Sequence, residues 1–215
     1  MTPLYGLFLA GGKSTRMGQD KASLILGGDG LTQAIRGIGL LGRFCERVHV
    51  SLREGQLPPE GVEKALVIRD SDEAQGPVAG ILGAFCAAPA AAWLVLACDL
   101  PFVRESLLAR LVAGFRESPA GHFTAFASSR DGLPEPLCAI YGPSARSVLQ
   151  RHAAHKHFCP RHIMKEENAS LLSLPPEDAG ALENMNTPRD LAGTIPVHSS
   201  QANWFGYLSE DRPGP

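Results

Sequence analysis

The sequence has no large excess of charge and no long apolar run, and these two absences narrow the classes of protein that it can encode. Its 215 residues carry 20 Lys and Arg against 22 Asp and Glu, a formal net charge of -2. A chain so close to neutral has no overall attraction for nucleic acid or an anionic membrane, so phosphate binding must come from local placement of charge. Every apolar stretch is shorter than the ~18 residues that a membrane span needs. We therefore expect neither a nucleic-acid partner nor a membrane partner.

Cysteine is also scarce. The chain has five cysteines, an odd number, widely spaced and mostly set among apolar neighbours. This pattern favours reduced core residues over a disulfide framework. Because no charged segment precedes the short apolar run near the N-terminus, we expect a cytoplasmic protein rather than an exported one.

Short apolar runs alternate with helix-length amphipathic segments, the pattern of a mostly parallel sheet with crossover helices. With 44% hydrophobic residues, the chain can bury the core of one α/β domain. We assign that domain to residues 1–195, and residues 196–215 to a loosely packed polar tail. The predicted strands are residues 5–9, 47–52, 65–68, 93–97, 123–127 and 137–141. The predicted helices are residues 31–41, 78–87, 104–115 and 143–155.

The segment LAGGKSTRMGQDK, residues 9–21, follows the first predicted strand. Its paired glycines, Gly11 and Gly12, let the backbone turn sharply and bring amides close to an anion, and Arg16 and Lys21 supply cations. The glycine spacing fits neither the dinucleotide fingerprint nor the phosphate loop of the NTPases. From this segment alone, a basic surface turn is an equal alternative.

Two aspartates also directly follow predicted strands, and ligands of open parallel sheets bind at that edge. Asp99, in ACDLPF, suits Mg²⁺ held jointly with substrate phosphates; the alternative is a cap for the helix predicted from residue 104. Asp70 precedes Gly76 and Pro77, which open a helix in which Gly80 leaves room for a flat ring. A plain helix start would account for that glycine and proline equally well.

Four segments in order resemble the molybdenum cofactor guanylyltransferases, the MobA-like nucleotidyltransferase family: LAGGKSTRMGQDK, DSDEAQGPVAG, ACDLPF and NMNTPRDL at residues 184–191. The resemblance extends from residue 7 to about residue 191. It implies a single-domain, three-layer α/β/α Rossmann-like fold of the nucleotidyltransferase (glycosyltransferase-A-like) type. It also implies Mg²⁺ dependence and transfer of GMP from GTP to the terminal phosphate of molybdopterin, with release of pyrophosphate.

The resemblance implies a role for individual residues of this chain, beginning with the backbone of residues 9–11, which would contact the nucleobase. Ser51 stands where many relatives have asparagine, so its contact is open. The implied nucleotide-binding residues are Leu9, Ala10, Gly11, Gly12, Lys21, Ser51, Asp70, Gly76, Pro77, Gly80 and Asp99. The implied catalytic residues are Arg16, Lys21 and Asp99, with Asp99 as the metal ligand. The implied acceptor-binding residues are Asn184, Asn186, Lys156 and Arg161.

The residue types agree with this chemistry. A phosphate oxygen of the acceptor is already ionised at neutral pH, so the reaction needs no general base, only positioning and charge neutralisation. Asp99 with Mg²⁺ would act on the α-phosphate, and Arg16 and Lys21 on the departing pyrophosphate. Gly11 and the segment GPVAG favour guanine over the cytosine of a sister group, in which the loop reads Leu-Ala-Ala-Gly and so has alanine at the position of Gly11.

The basic segment HAAHKHFCPRHIMK, residues 152–165, has three interpretations. Lys156, His157 and Arg161 are candidates for binding the acceptor phosphate, and a solvated basic turn is the alternative. Zinc is the third, but the spacing matches no common closed site; its candidate ligands are His155, His157, Cys159 and His162.

Other functions remain open from the sequence: transfer from CTP or to another phosphorylated acceptor, or a non-catalytic nucleotide-binding accessory role in cofactor biosynthesis. The segment NMNTP favours the molybdopterin branch. Retention of both Lys21 and Asp99 favours catalysis. The resemblance also implies transient contact with other proteins of molybdenum cofactor biosynthesis or with target apo-enzymes.

Overall fold

The computed structural model describes residues 2–11, 21–25, 30–118 and 121–185. Within these ranges, seven strands form one sheet in the order β3-β2-β1-β4-β6-β5-β7. The strands are β1 (Leu4–Leu9), β2 (Arg47–Leu52), β3 (Val67–Arg69), β4 (Ala92–Ala97), β5 (Phe123–Ala127), β6 (Pro134–Tyr141) and β7 (Ser170–Ser173). The helices are α1 (Gln33–Gly42), α2 (Pro77–Ala87), α3 (Glu105–Glu117), α4 (Ala145–Ala154) and α5 (Pro160–Glu166). The predicted site residues Gly12, Arg16 and Asn186, and the predicted tail 196–215, lie outside the described residues.

The sheet is mostly parallel, as predicted. β1 pairs in parallel with β2 on one side and β4 on the other, and β3 and β7 add parallel strands at the two edges. Among the described strands, only β6 runs antiparallel, between β4 and β5. The chain thus crosses from the edge strand β3 back past β1 to form β4, and the carboxyl ends of β1, β2 and β4 meet at one edge. This is the position at which open α/β sheets bind ligands.

Successive side chains of β1 point to opposite faces of the sheet and so belong to two separate layers of the core. Phe8 packs on one face of the sheet with Ile38 and Leu41 of α1 and with residues of α3. Leu7 and Leu9 face the other side, with residues of α2, α4 and α5. Successive side chains of a strand point to opposite faces, so an apolar strand buried between two helix layers is apolar throughout. The predicted three-layer α/β/α arrangement is therefore confirmed.

Several boundaries differ from the predictions, for local reasons. Residues 64–66 form a 3-10 helix, so β3 begins at Val67 rather than at residue 65. β7 and α5 were not predicted: β7 has only four residues of alternating exposure, and α5 only seven. α1 begins where Thr32 accepts a hydrogen bond from the Ile35 N–H, a side-chain cap of the common kind.

The cysteines are free, as predicted, but they are not all core residues. Cys45 and Cys138 are buried, and burial raises the pKa of each thiol to about 12. Cys86 and Cys159 are exposed, so the expectation of a core position was wrong for these two. Across the described ranges, none of the helices combines the length and apolarity that crossing a membrane would require.

Candidate active site

A cleft opens at the carboxyl ends of β1, β2 and β4, against the start of α2. It collects residues from the three predicted segments that follow strands, together with one residue of β2 and one of β6. The lining residues are Leu9, Gly11, Lys21, Ser51, Asp70, Gly76, Pro77, Gly80, Ala97, Cys98, Asp99 and Leu137. Of these, Ala97, Cys98 and Leu137 were not predicted as site residues.

The strand register brings these segments together. Leu9 pairs with Ser51 on one side and with Ala97 on the other, so three strands end level with one another. The backbone continues the pairing one step further: the Ala10 N–H donates to the Ser51 carbonyl at 3.2 Å, and the Cys98 N–H donates to the Leu9 carbonyl at 3.1 Å. The first turn after β1 is therefore held from both neighbouring strands.

Asp70 lies beside Ser51, whose hydroxyl donates a hydrogen bond to Asp70 Oδ1. Burial raises the pKa of the Asp70 carboxyl, while the Ser51 hydrogen bond and the positive charges of Arg53 and Arg69 act in the opposite direction. Ser51 thus takes part in the site through Asp70, a contact that the sequence left open.

Gly80 lies where α2 approaches this pair most closely. A Cβ at Gly80 would lie 2.9 Å from Leu9 Cδ2, 3.3 Å from Asp70 Oδ1 and closer still to Ser51 Oγ. The sequence predicted that this glycine makes room for a flat ring, but the space is filled by the Ser51 hydroxyl. The missing side chain lets the helix dock on the Ser51–Asp70 pair.

The start of α2 faces the cleft. Gly76 precedes the helix with φ +61°, a left-handed backbone that favours glycine, and Pro77 is the first helical residue. Both lie on the cleft wall, as predicted. The first amides of an α-helix lack intrahelical acceptors and carry partial positive charge, so this wall suits an anion.

Lys21, Asp99 and Met185 meet at the other wall. Lys21 Nζ donates to the Met185 carbonyl at 2.8 Å, and the Met185 N–H donates to the Asp99 carbonyl at 2.9 Å. Burial raises the pKa of the Asp99 carboxyl, and the positive charge of Lys21 opposes that rise. One backbone residue near the C-terminal end of the described chain therefore links the predicted cation to the predicted metal ligand.

Asp99 has the features of a cation ligand. Its Oδ1 is buried and lacks a hydrogen-bond partner within the described part of the chain, and an unpartnered buried carboxylate oxygen is unfavourable unless something charged fills its place. The alternative role is excluded, because residue 104 occupies the N-cap position of α3. In the described ranges no three His, Cys, Asp or Glu side chains are grouped to hold a metal. A metal at Asp99 would thus need oxygens from substrate, which is usual for Mg²⁺.

The three predicted acceptor residues that the structure describes, Asn184, Lys156 and Arg161, do not line the cleft. Asn184 is exposed and directly precedes Met185. Lys156 is exposed in the turn between α4 and α5, with φ +59°. Arg161 Nε donates to the Pro134 carbonyl at 3.0 Å and Nη2 to Asp131 Oδ1 at 2.9 Å. Their acceptor roles stay predictions.

Arg161 nevertheless lies at the edge of the sheet that bears the cleft. In the antiparallel pairing, Leu96 of β4 is opposite Cys138 of β6, so the first residues of β6 extend beyond the carboxyl end of β4. The four candidate zinc ligands of the basic segment, all described residues, form no cluster that could hold a metal.

Gln56 does not line the cleft but bonds to the turn after β1, a contact that the sequence did not predict. Its Nε2 donates to the Ala10 carbonyl at 3.1 Å, across 46 residues of chain. A glutamine in a loop has no local signal for such a contact. Only the ends of β1 and β2, brought level by the sheet, place the two groups together.

Comparison with known proteins assigns the family. A family model described as MobA-like NTP transferase domain matches residues 6–171. The chain belongs to the MobA-like NTP transferase family. The family match extends from within β1 to the start of β7 and includes every residue that lines the cleft, but not Met185.

Curated relatives of this MobA-like domain carry molybdenum cofactor names. A molybdenum cofactor biosynthesis bifunctional protein of Synechocystis is 34% identical over 189 residues, which are 88% of this chain and 53% of that protein. The chain therefore spans about half the length of that relative. A protein named probable molybdenum cofactor guanylyltransferase, from Pelotomaculum thermopropionicum, is 33% identical over 200 residues, 89% of this chain and 91% of that one.

Solved structures of MobA-like and other nucleotidyltransferases share the fold. Molybdopterin-guanine dinucleotide biosynthesis protein A of Archaeoglobus fulgidus superimposes with a TM-score of 0.62 at 22% identity, covering 88% of this chain and 95% of that one. A nucleotidyl transferase from Methanothermobacter gives a TM-score of 0.65 at 20% identity, covering 90% and 96%. The predicted Rossmann-like nucleotidyltransferase fold is confirmed.

Proposed function

We propose that this protein transfers GMP from GTP to the terminal phosphate of molybdopterin, releasing pyrophosphate and forming the guanine dinucleotide form of the molybdenum cofactor, in the cytoplasm and with Mg²⁺. The observation that carries the proposal is the meeting of Lys21 and Asp99 through Met185 at the end of β4. A cation beside an unpartnered buried carboxylate, opposite a helix N-terminus, suits a nucleoside triphosphate with its metal. The names of the relatives supply the acceptor and the base.

Asp99 would hold the metal, because its Oδ1 is the buried oxygen without a partner among the described residues. Mg²⁺ bound there would polarise the α-phosphate and offset charge on the leaving pyrophosphate. Lys21 places its ammonium at the same wall, where it would stabilise the added negative charge of the transition state and opposes the rise in the pKa of Asp99 that burial causes.

The base would lie against the turn at residues 9–11, opposite Asp70. Gly11 is exposed and lines the cleft, and a Cβ there would lie 3.3 Å from Asp70 Oδ2. Bare backbone at this point lets a flat ring approach the peptide edge. The segment GPVAG at the start of α2, and glycine rather than alanine at position 11, support guanine.

The acceptor would bind on the side of Asn184 and β6. Asn184 directly precedes the residue that bonds to Lys21 and Asp99, so an acceptor held by its side chain would reach the same α-phosphate. The acceptor phosphate is the nucleophile and is already ionised at neutral pH, so the site needs to orient it in line and exclude water.

The test is release of pyrophosphate from GTP, CTP and ATP, each with and without molybdopterin, at saturating Mg²⁺. We expect release that depends on molybdopterin and is fastest with GTP. Faster release with CTP would overturn the base assignment. If the protein binds GTP but releases no pyrophosphate in the presence of molybdopterin, it is a nucleotide-binding accessory protein rather than an enzyme.

A further inference from the structure

The turn that follows β1 is fixed by a side chain that the family resemblance does not include. Ala10 is buried, with 1% of its surface exposed. Its N–H completes the ladder to β2, and the last register pair between the two strands is Leu9 with Ser51. The Ala10 carbonyl lies beyond that last pair, and a buried carbonyl needs a donor.

Gln56 supplies that donor. Its Nε2 donates to the Ala10 carbonyl at 3.1 Å, and its Oε1 accepts from the Arg53 N–H at 3.3 Å. A carbonyl can only accept and an amide N–H can only donate, so these two partners fix which way round the Gln56 amide lies. Any residue that cannot both donate and accept at these points would lose one contact.

The loop that carries Gln56 is itself held in place. Arg69 Nη1 donates to the Arg53 carbonyl at 2.8 Å and to the Gln56 carbonyl at 2.9 Å. Hydrogen bonds from a charged donor are stronger than neutral ones. A chain of hydrogen bonds therefore extends from the edge strand β3, through residues 53–56, to the peptide between Ala10 and Gly11.

That peptide is planar, so fixing its carbonyl also fixes the direction of the Gly11 N–H. Gly11 lies on the cleft wall, and a Cβ there would lie nearest to Asp70 and Arg53. We propose that Gln56, locked by Arg69, is a positioning residue for nucleobase recognition: it sets the orientation of the Ala10–Gly11 peptide against which the base is read. This inference rests on the proposed function, which places the base at residues 9–11.

The test uses two variants of the full chain. Gln56→Met keeps the length of the side chain but cannot donate to Ala10, and Gln56→Glu turns a carboxylate towards the Ala10 carbonyl. The matched control is Gln150→Met, since Gln150 is a partly buried helical glutamine whose side chain bonds to Glu73, and neither residue lines the cleft. Nucleotide affinity is measured by calorimetry with Mg²⁺, and steady-state kinetics follow pyrophosphate release.

We expect Gln56→Met to weaken GTP binding and raise KM for GTP by about tenfold, the effect of losing one hydrogen bond of ordinary strength. The Gln56→Glu variant should bind GTP more weakly still. Both variants should lower the preference for GTP over CTP, with kcat and KM for molybdopterin within about twofold of wild type. Because Arg69 acts through Gln56, adding Arg69→Met to Gln56→Met should change GTP affinity by less than the product of the single effects.

Two results would overturn the inference. One is unchanged affinity for GTP in both variants, whatever happens to thermal stability, which would leave Gln56 a merely structural residue. The other is an equal fall in kcat and kcat/KM, which would place its effect in the transition state.

The same measurements separate this inference from the proposed function. If wild type binds GTP but releases no pyrophosphate, the proposed function fails, and weaker GTP binding by the Gln56 variants still supports the positioning role. If wild type prefers CTP, the base assignment fails, and the role of Gln56 is decided by CTP affinity in the same way. If wild type binds no nucleotide, both fail.

Discussion

Replacing Gly80 with alanine tests how closely α2 must approach the site. The added Cβ would lie 2.9 Å from Leu9 Cδ2 and nearer to Ser51 Oγ, a hydroxyl that is buried and bonded to Asp70. Alanine should gain ~1 kcal/mol of helix propensity, but overpacking a buried contact costs ~1–3 kcal/mol. The steric cost should exceed the gain in propensity, because Leu9 and Ser51 are both buried and their side chains cannot move into solvent.

We therefore expect Gly80→Ala to lower the free energy of unfolding by up to ~2 kcal/mol, and the melting temperature by ~2–8 °C for a chain of this size. Affinity for GTP should fall as well, since relief of the clash moves either α2 or the Ser51–Asp70 pair. The measurements are urea unfolding, thermal melting and calorimetric titration with GTP.

Gly114→Ala is the matched control. A Cβ at Gly114, also within a helix, would meet the end of the Leu172 side chain at 2.8 Å, and the flexible end of a leucine can rotate away. This variant should keep wild-type affinity for GTP. In a second control, Ser51→Ala removes the obstructing hydroxyl, so the double variant should be more stable than the two single effects predict by addition. A Gly80→Ala protein as stable as wild type, with unchanged affinity for GTP, would refute the argument.

Three further predictions concern charge. Asp99→Asn should nearly abolish pyrophosphate release and leave the melting temperature within a few degrees of wild type; full activity would disprove the metal assignment. Burial raises the pKa of Asp70 and of Asp99 above 3.8, so the folded protein binds more protons there and the free energy of unfolding should decrease as pH rises from about 4 through the raised pKa values. Urea unfolding from pH 4 to 7 should show this slope, and Asp99→Asn should flatten it. Arg161→Met should raise KM for molybdopterin several-fold through a looser start of β6, with KM for GTP unchanged; an unchanged KM for molybdopterin would remove Arg161 from the acceptor site.

The sheet and most of the cleft lining could be predicted from the sequence because they follow from strand ends. Asp70 and Asp99 each come two residues after the end of a predicted strand, and parallel strands bring such positions to one edge. The position of each aspartate can be read from the residues just before it, and the parallel topology then places the two aspartates at the same edge. β7 escaped prediction because four residues of alternating exposure carry too little pattern, and its place in the sheet depends on pairing with β5.

The contacts that complete the cleft could not be predicted, because each joins a side chain to the backbone carbonyl of a residue far away in the chain. Lys21 and Met185 are 164 residues apart, and the atom of Met185 that Lys21 binds is a carbonyl that every residue possesses. The side chain of Met185 therefore gives no sign of the contact. The same holds for Gln56, whose partner is the carbonyl of an alanine.

Backbone contacts of this kind bear on how substitutions in the cleft should be interpreted. Replacing the side chain of Met185 leaves its N–H and carbonyl in place, so its bonds to Asp99 and Lys21 survive in any variant that keeps the local backbone. Proline is the exception, since it has no N–H to donate to Asp99. Met185→Pro should therefore reduce activity far more than Met185→Ala. If both variants reduced kcat equally, the apolar side chain of Met185, and not its backbone, would be what links Lys21 to Asp99.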